Sequence, residues 1–126
     1  MSYIPKYILK RMVPPDAVKN TDDGWEVEVT NVISPLTVDE IPDNVMDLVS
    51  FKIDGEEMDK STMALRYEDK TVSVDNPQDA LGVTIPVGGK VYIVHKGDQL
   101  PAGMHKFEVS VKADNPINIE VEREVQ

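Results

Sequence analysis

The residues with the greatest chemical potential in this 126-residue chain are its two histidines, His95 and His105. Imidazole titrates near neutral pH and binds metals, so a shared pair would suit proton transfer or metal ligation. His95 closes an apolar run, on the side of Val91 and Ile93. His105 opens an alternating run, on the side of Phe107 and Val109. No spacing ties the two together, so each reads as a rim histidine with local hydrogen bonds. For His105 the sequence predicts a loop anchor: an N–H given to a carbonyl of the preceding Pro101-Ala102-Gly103-Met104 turn, which fixes one tautomer. Tyr92, beside His95, is a candidate interface residue, on a face with Val94.

Other constellations reduce to local structure. The cluster Asp54-Gly55-Glu56-Glu57-Met58-Asp59 offers carboxylates to a hard cation. It lacks the alternating Asp/Asn and distal Glu of a calcium loop, and reads as a charged hairpin turn. Val87-Gly88-Gly89-Lys90 lies between two strands without the helix that completes a phosphate loop, so it reads as a turn. With 23 acidic residues, no glycosidase-like carboxylate pair can be singled out. No Ser-His-Asp arrangement or zinc spacing is present, and the chain has no cysteine, so no disulfide and no thiolate site is possible. The sequence therefore assigns no catalytic, cofactor or metal residue, and no cofactor.

The elements that carry these residues are strands. From His105 to Lys112 the chain alternates strictly: His105, Phe107, Val109 and Val111 on one face, Lys106, Glu108, Ser110 and Lys112 on the other. Such alternation marks a strand with one face in a core and one in water. Similar runs are predicted at Tyr7 to Val13, Trp25 to Ile33, Leu48 to Asp54, Thr62 to Glu68, Thr71 to Val74, Leu81 to Ile85, Val91 to His95 and Ile117 to Val125. Residues 16 to 23 read as a loop. Residues 34 to 47 read as an irregular crossover with a short helical turn, Thr37 and Glu40 forming a possible capping box. Asp54-Gly55 and Asp69-Lys70 are tight turns, and Pro14-Pro15, Asp75-Asn76-Pro77 and Asn115-Pro116 are breaks. Apolar residues on both faces of Val91 to His95 place that strand centrally. Glu120, Glu122 and Glu124 form a wet face that protects an edge, with Arg123 opposite.

The fold class is all-β: one domain, residues 1–126, an antiparallel two-sheet β-sandwich, jelly-roll-like, of eight or nine short strands. With one Trp, two Phe and four Tyr, the core is mainly aliphatic. Its expected members are Trp25, Val27, Val49, Phe51, Ile53, Leu65, Val83, Ile93, Phe107 and Val109.

The net charge of −10, spread along the chain, argues against nucleic acid and anionic membranes as partners. Met1 to Lys6 lacks the features of a secretion signal, and no apolar run approaches the roughly 18 residues of a spanning helix, so a cytoplasmic location is expected.

Three segments together resemble one family: Ile33-Ser34-Pro35-Leu36 leading through residues 45–58, then Val91-Tyr92-Ile93, then Leu100 to Val109. Their order is similar to the small (beta) subunit of C-glycoside deglycosidases, over roughly residues 25 to 113. The resemblance implies a non-catalytic β-sandwich accessory subunit. It would assemble with and stabilise a larger, metal-dependent barrel lyase acting on C-glycosides, and His105 within the matched motif would be structural or interfacial. The alternative is a stand-alone binding module, with Trp25 stacking on a carbohydrate, or a homo-oligomeric structural protein joined through edge strands or the Tyr92 face.

Overall fold

The computed structural model describes residues 6–32, 34–41, 44–73, 75–112 and 117–125. The expected strand ends at Ile33 and Val74, residues 1–5 and the Asn115-Pro116 break lie outside them.

The chain is an all-β sandwich built from two antiparallel sheets. Its elements are α1 (Lys6–Met12), β1 (Val18–Thr21), β2 (Gly24–Thr30), β3 (Leu36–Thr37), α2 (Val45–Leu48), β4 (Val49–Ile53), β5 (Glu56–Glu57), β6 (Met63–Tyr67), β7 (Lys70–Ser73), β8 (Thr84–Ile85), β9 (Lys90–Lys96), β10 (Gly103–Val111) and β11 (Ile117–Val125). One sheet has the order β1-β2-β9-β6-β7, the other β11-β10-β4-β5, and β3 pairs with β8 as a separate two-stranded ribbon. The apolar run Val91 to His95 indeed lies in the central strand, β9.

Register fixes which side chains meet in the core. Trp25 stands opposite His95, and His95 opposite Met63, so these three share the inner face of the first sheet. Val27, Ile93, Leu65 and Val72 form the next inner row. In the second sheet Phe107 stands between Ile53 and Val121, and Val109 between Phe51 and Ile119. Trp25, Val27, Phe51, Ile53, Phe107, Ile119, Val121 and Val125 are buried, and Trp25 stacks on Phe51 at 5.6 Å between ring centres.

Several elements differ from the sequence expectation. The strand expected at Tyr7 to Val13 is the helix α1. Ile8 and Met12, four residues apart, share one helix face against the core, and Lys10 and Arg11 in the last turn suit the negative end of the helix dipole. The expected loop 16–23 contains strand β1, which pairs with β2 through an Asp22-Asp23 turn; only Val18 and neighbouring Ala17 turn inward, too few for alternation to show. The helical turn of the crossover is α2, whereas Thr37 joins β3 and its hydroxyl lies 3.0 Å from that of Thr84 instead of capping a helix. The Asp69-Lys70 turn shifts back by one residue to Glu68-Asp69, with Glu68 at a φ of 54°. The Leu81 to Ile85 run shortens to β8, and β3, β5 and β8, two residues each, raise the count to eleven strands among the described residues.

The two sheets converge on one side and part on the other. At the converging side β1 lies against β11, and α1 packs over β2 and β11. At the opposite side β6 and β7 extend past the shorter second sheet. Leu65 is the clearest sign: its side chain belongs to the inner row, yet it is 48% exposed. Val49, Ile93 and Val109, also expected in the core, are only half-buried for the same reason, and half-buried Val83 sits beside the β3–β8 ribbon, outside the core cluster.

Candidate binding site

The parted side of the sandwich holds a cavity of about 400 Å³. Its floor is apolar, with Val49, Phe51 and Val109 from the second sheet facing Met63, Leu65, Val72 and Ile93 from the first. The connectors close it partially: Val38, Ile41 and Val45 on one flank, Pro77 and Ala80 on another. Glu40, Lys60 and Ser73 supply its polar lining. The geometry follows from strand order. β6 and β7 must extend the first sheet beyond β4, while β5 is two residues long and covers nothing opposite them. Concave apolar sites with few polar groups are the usual form of small-molecule pockets.

The predicted site residues lie elsewhere. His95 and His105 are on different sheets, with separate partners. His95 stacks on Trp25, ring centres 5.0 Å apart, and its Nδ1 lies 2.9 Å from Thr62 Oγ1. The Thr62 hydroxyl gives its one proton to the Asp59 carbonyl at 2.7 Å, so it accepts from His95, whose Nδ1 carries the hydrogen. Burial pushes the His95 pKa down, against a weaker pull from Asp98. Two glycines make room for His95, one beside its backbone and one beside its ring. A Cβ at Gly24 would strike the His95 carbonyl oxygen, and one at Gly97 would lie 2.8 Å from His95 Nε2; both residues have positive φ.

His105 lies between two acceptors. Its Nδ1 is 2.7 Å from Asp54 Oδ2, and its Nε2 is 2.8 Å from the Pro101 carbonyl oxygen. Two acceptors require two N–H donors, so the geometry favours the imidazolium. This differs from the single neutral tautomer expected from sequence, because Asp54 approaches from 51 residues away. The hydrogen bond to Asp54, then that to Pro101, raises the His105 pKa; the bond from His105, then that from the Lys106 N–H at 2.9 Å, lowers that of Asp54.

The acidic cluster is occupied by turn chemistry. Asp54 at φ 54° and Gly55 make the β4–β5 turn, and Asp59 accepts from the Ser61 N–H and hydroxyl. Among the described residues, no three His, Asp or Glu side chains gather as metal ligands. The Val87 to Lys90 segment turns the chain into β9, its Gly88 N–H bonded to the Asn31 carbonyl. Tyr92 faces outward; its hydroxyl donates to Glu28 at 3.2 Å, and Arg66 lies over its ring while also pairing with Glu26 at 3.0 Å. Trp25, 1% exposed, offers no face to a sugar. Among the described residues no helix is long and apolar enough to cross a membrane.

Two residues to which the sequence assigned no role, Asn20 and Arg123, tie distant segments together. Asn20 exchanges two 2.9 Å hydrogen bonds with the backbone of Leu100, imitating a strand pair. Arg123 lies in the inner row of β11, opposite His105, and its guanidinium donates to the carbonyls of Val13, Pro14 and Lys10 at the C-terminal end of α1. An arginine in the apolar register of a strand was the available signal for the latter.

The model of one family, described as hydroxymethylglutaryl-CoA reductase, N-terminal domain, matches residues 8–126 of the chain. No curated protein matches it. This finding overturns the resemblance to the C-glycoside deglycosidase small subunit, and with it the reading as an accessory chain of a carbohydrate lyase. The motifs behind that resemblance have local causes. Asp54-Gly55 is dictated by a tight turn, and Leu100 to His105 by the anchoring of one loop to Asn20 and Asp54.

Proposed function

We propose, from the premise that the chain belongs to the family of the hydroxymethylglutaryl-CoA reductase N-terminal domain, that it is a non-catalytic β-sandwich module assembling with a larger catalytic chain. The observation that carries this reading is the β3–β8 ribbon. Among the described residues, three of the six large exposed apolar side chains, Leu36, Leu81 and Val87, lie on it or at its ends. A two-stranded ribbon with an apolar surface gains stability when another surface covers it. This ribbon is already held in place. The Asn31 side chain donates to the carbonyls of Ser34 and Ile85 at 2.7 and 3.0 Å, and its backbone bonds to Gly88 and Gly89. A pre-organised apolar edge loses little conformational entropy on association. The family's own description, a domain of a reductase, supports a catalytic chain as partner.

Sedimentation velocity on the chain alone, and mixed with the catalytic domain of a hydroxymethylglutaryl-CoA reductase, tests this. A complex at micromolar concentration that Leu36→Ser with Val87→Ser weakens at least tenfold is the expected result. Independent sedimentation of both species refutes the reading; self-association of the chain alone, abolished by the same substitutions, makes the ribbon a homo-oligomeric contact.

A further inference from the structure

We infer that the cavity on the parted side of the sandwich is a binding site for a neutral aliphatic molecule of roughly ten to fifteen carbons. Size sets the first limit. An apolar cavity of about 150 Å³ takes a benzene-sized group. The cavity here, about 400 Å³, holds two to three times as much. One side chain inserted by a partner protein would leave more than half of it empty, with the lining short of dispersion contacts. An aliphatic chain fills it.

Chemistry sets the second limit. Val49, Phe51, Met63, Leu65, Ile93 and Val109 offer no hydrogen-bonding side chain to an occupant. A sugar or an extended peptide would bury polar groups there without partners, which is unfavourable for each group so buried. Charge sets the third. Glu40 and Lys60, both in the lining, are of opposite sign, and the whole chain carries −10. That field opposes a fatty-acid anion and leaves an uncharged alkyl compound, such as an alcohol or ester, as the matching class.

Fluorescence titration with N-phenyl-1-naphthylamine, an uncharged apolar probe, tests the site, with decan-1-ol and decanoate as competitors. The expected result is saturable binding of one probe per chain, displaced by decan-1-ol at concentrations at least tenfold below those needed of decanoate. Leu65→Trp and Val109→Trp, which fill the cavity, should each weaken probe binding at least tenfold. Met104→Ser, on an exposed side chain outside the lining, should leave it unchanged. If Val109→Trp does not fold, Leu65→Trp decides, since its side chain is half in solvent already. Absence of saturable binding, equal competition by decanoate, or native-like binding by the folded variants overturns the inference. Displacement by a reductase catalytic domain but not by decan-1-ol also overturns it, because the cavity would then be a protein contact. The ribbon variants above read out docking separately, so the two proposals fail independently.

Discussion

His105 combines two hydrogen bonds whose strength depends on its charge. Its pKa is raised above the ordinary 6.5 by Asp54 and Pro101, so folding takes up a proton as the pH approaches neutrality from above. The stability this histidine contributes is fully present below 6.5 and is lost as the pH rises through the raised value. Urea denaturation of the native chain and of His105→Ala should show that pattern. The difference should be about 1–2 kcal/mol at pH 6 and shrink toward pH 9. A pH-independent difference would mean that the ring acts by packing alone. His95 has the opposite sign. Its lowered pKa means that the unfolded chain binds protons more readily, so its contribution falls as the pH drops below 6.5. Thr62→Val strands the Nδ1–H of His95 and should cost about 1–3 kcal/mol, measured by the same denaturation at pH 7.5. Legibility at this scale was uneven. The approach of His105 to a loop carbonyl was visible, because a turn four residues away is a local feature. Asp54 was not, because sequence alternation says which face a residue takes and nothing of which distant turn will meet it.

At the scale of elements, periodicity identified the alternating strands down to the four-residue β7, and missed α1, β1 and the two-residue strands β3 and β5. β9, β10 and β11 were legible because seven to nine residues of alternation leave little ambiguity. α1 was misread because Tyr7 to Val13 carries enough apolar residues to satisfy either period, and Arg123, which decides between them, lies 110 residues further on. The guanidinium satisfies carbonyls that a short helix leaves open at its C-terminal end. Arg123→Met keeps the apolar stem and removes the donors. It should cost about 2–3 kcal/mol, and limited proteolysis should then cut first near residues 10–14. Cleavage elsewhere at native-like rates would show that α1 is held by Ile8 and Met12 alone. Gly24→Ala belongs to the same scale: the His95 carbonyl is backbone in a central strand and cannot retreat, so the variant should melt well below the native chain.

The whole molecule is a wedge, closed where α1, β1 and β11 meet and open where β6 and β7 extend beyond their cover. Its halves should respond differently to the same kind of substitution. Phe107, 2% exposed at the closed end, should lose about 3–5 kcal/mol as Phe107→Ala. Leu65→Ala, on the same inward register but at the open end, should lose less than about 1 kcal/mol. Equal losses in chemical denaturation would show that the open end closes in solution. The sandwich and its two inward faces were legible in the sequence; the unequal lengths of the sheets were not, since no local pattern records how far one sheet reaches past another. For that reason only part of the expected core, Trp25, Val27, Phe51, Ile53 and Phe107, is buried as foreseen, and the cavity was not foreseen.

The stacking of Trp25 on His95 joins residues 70 positions apart, across the β2–β9 ladder. Until β9 is in place, β2 has only the four-residue β1 as a neighbour. The search for that partner spans most of the chain, and topologies dominated by such distant pairings fold in milliseconds to seconds. The chain holds one indole, at this junction. Its emission in a stopped-flow refolding experiment therefore times the closing of the central ladder, without any introduced label.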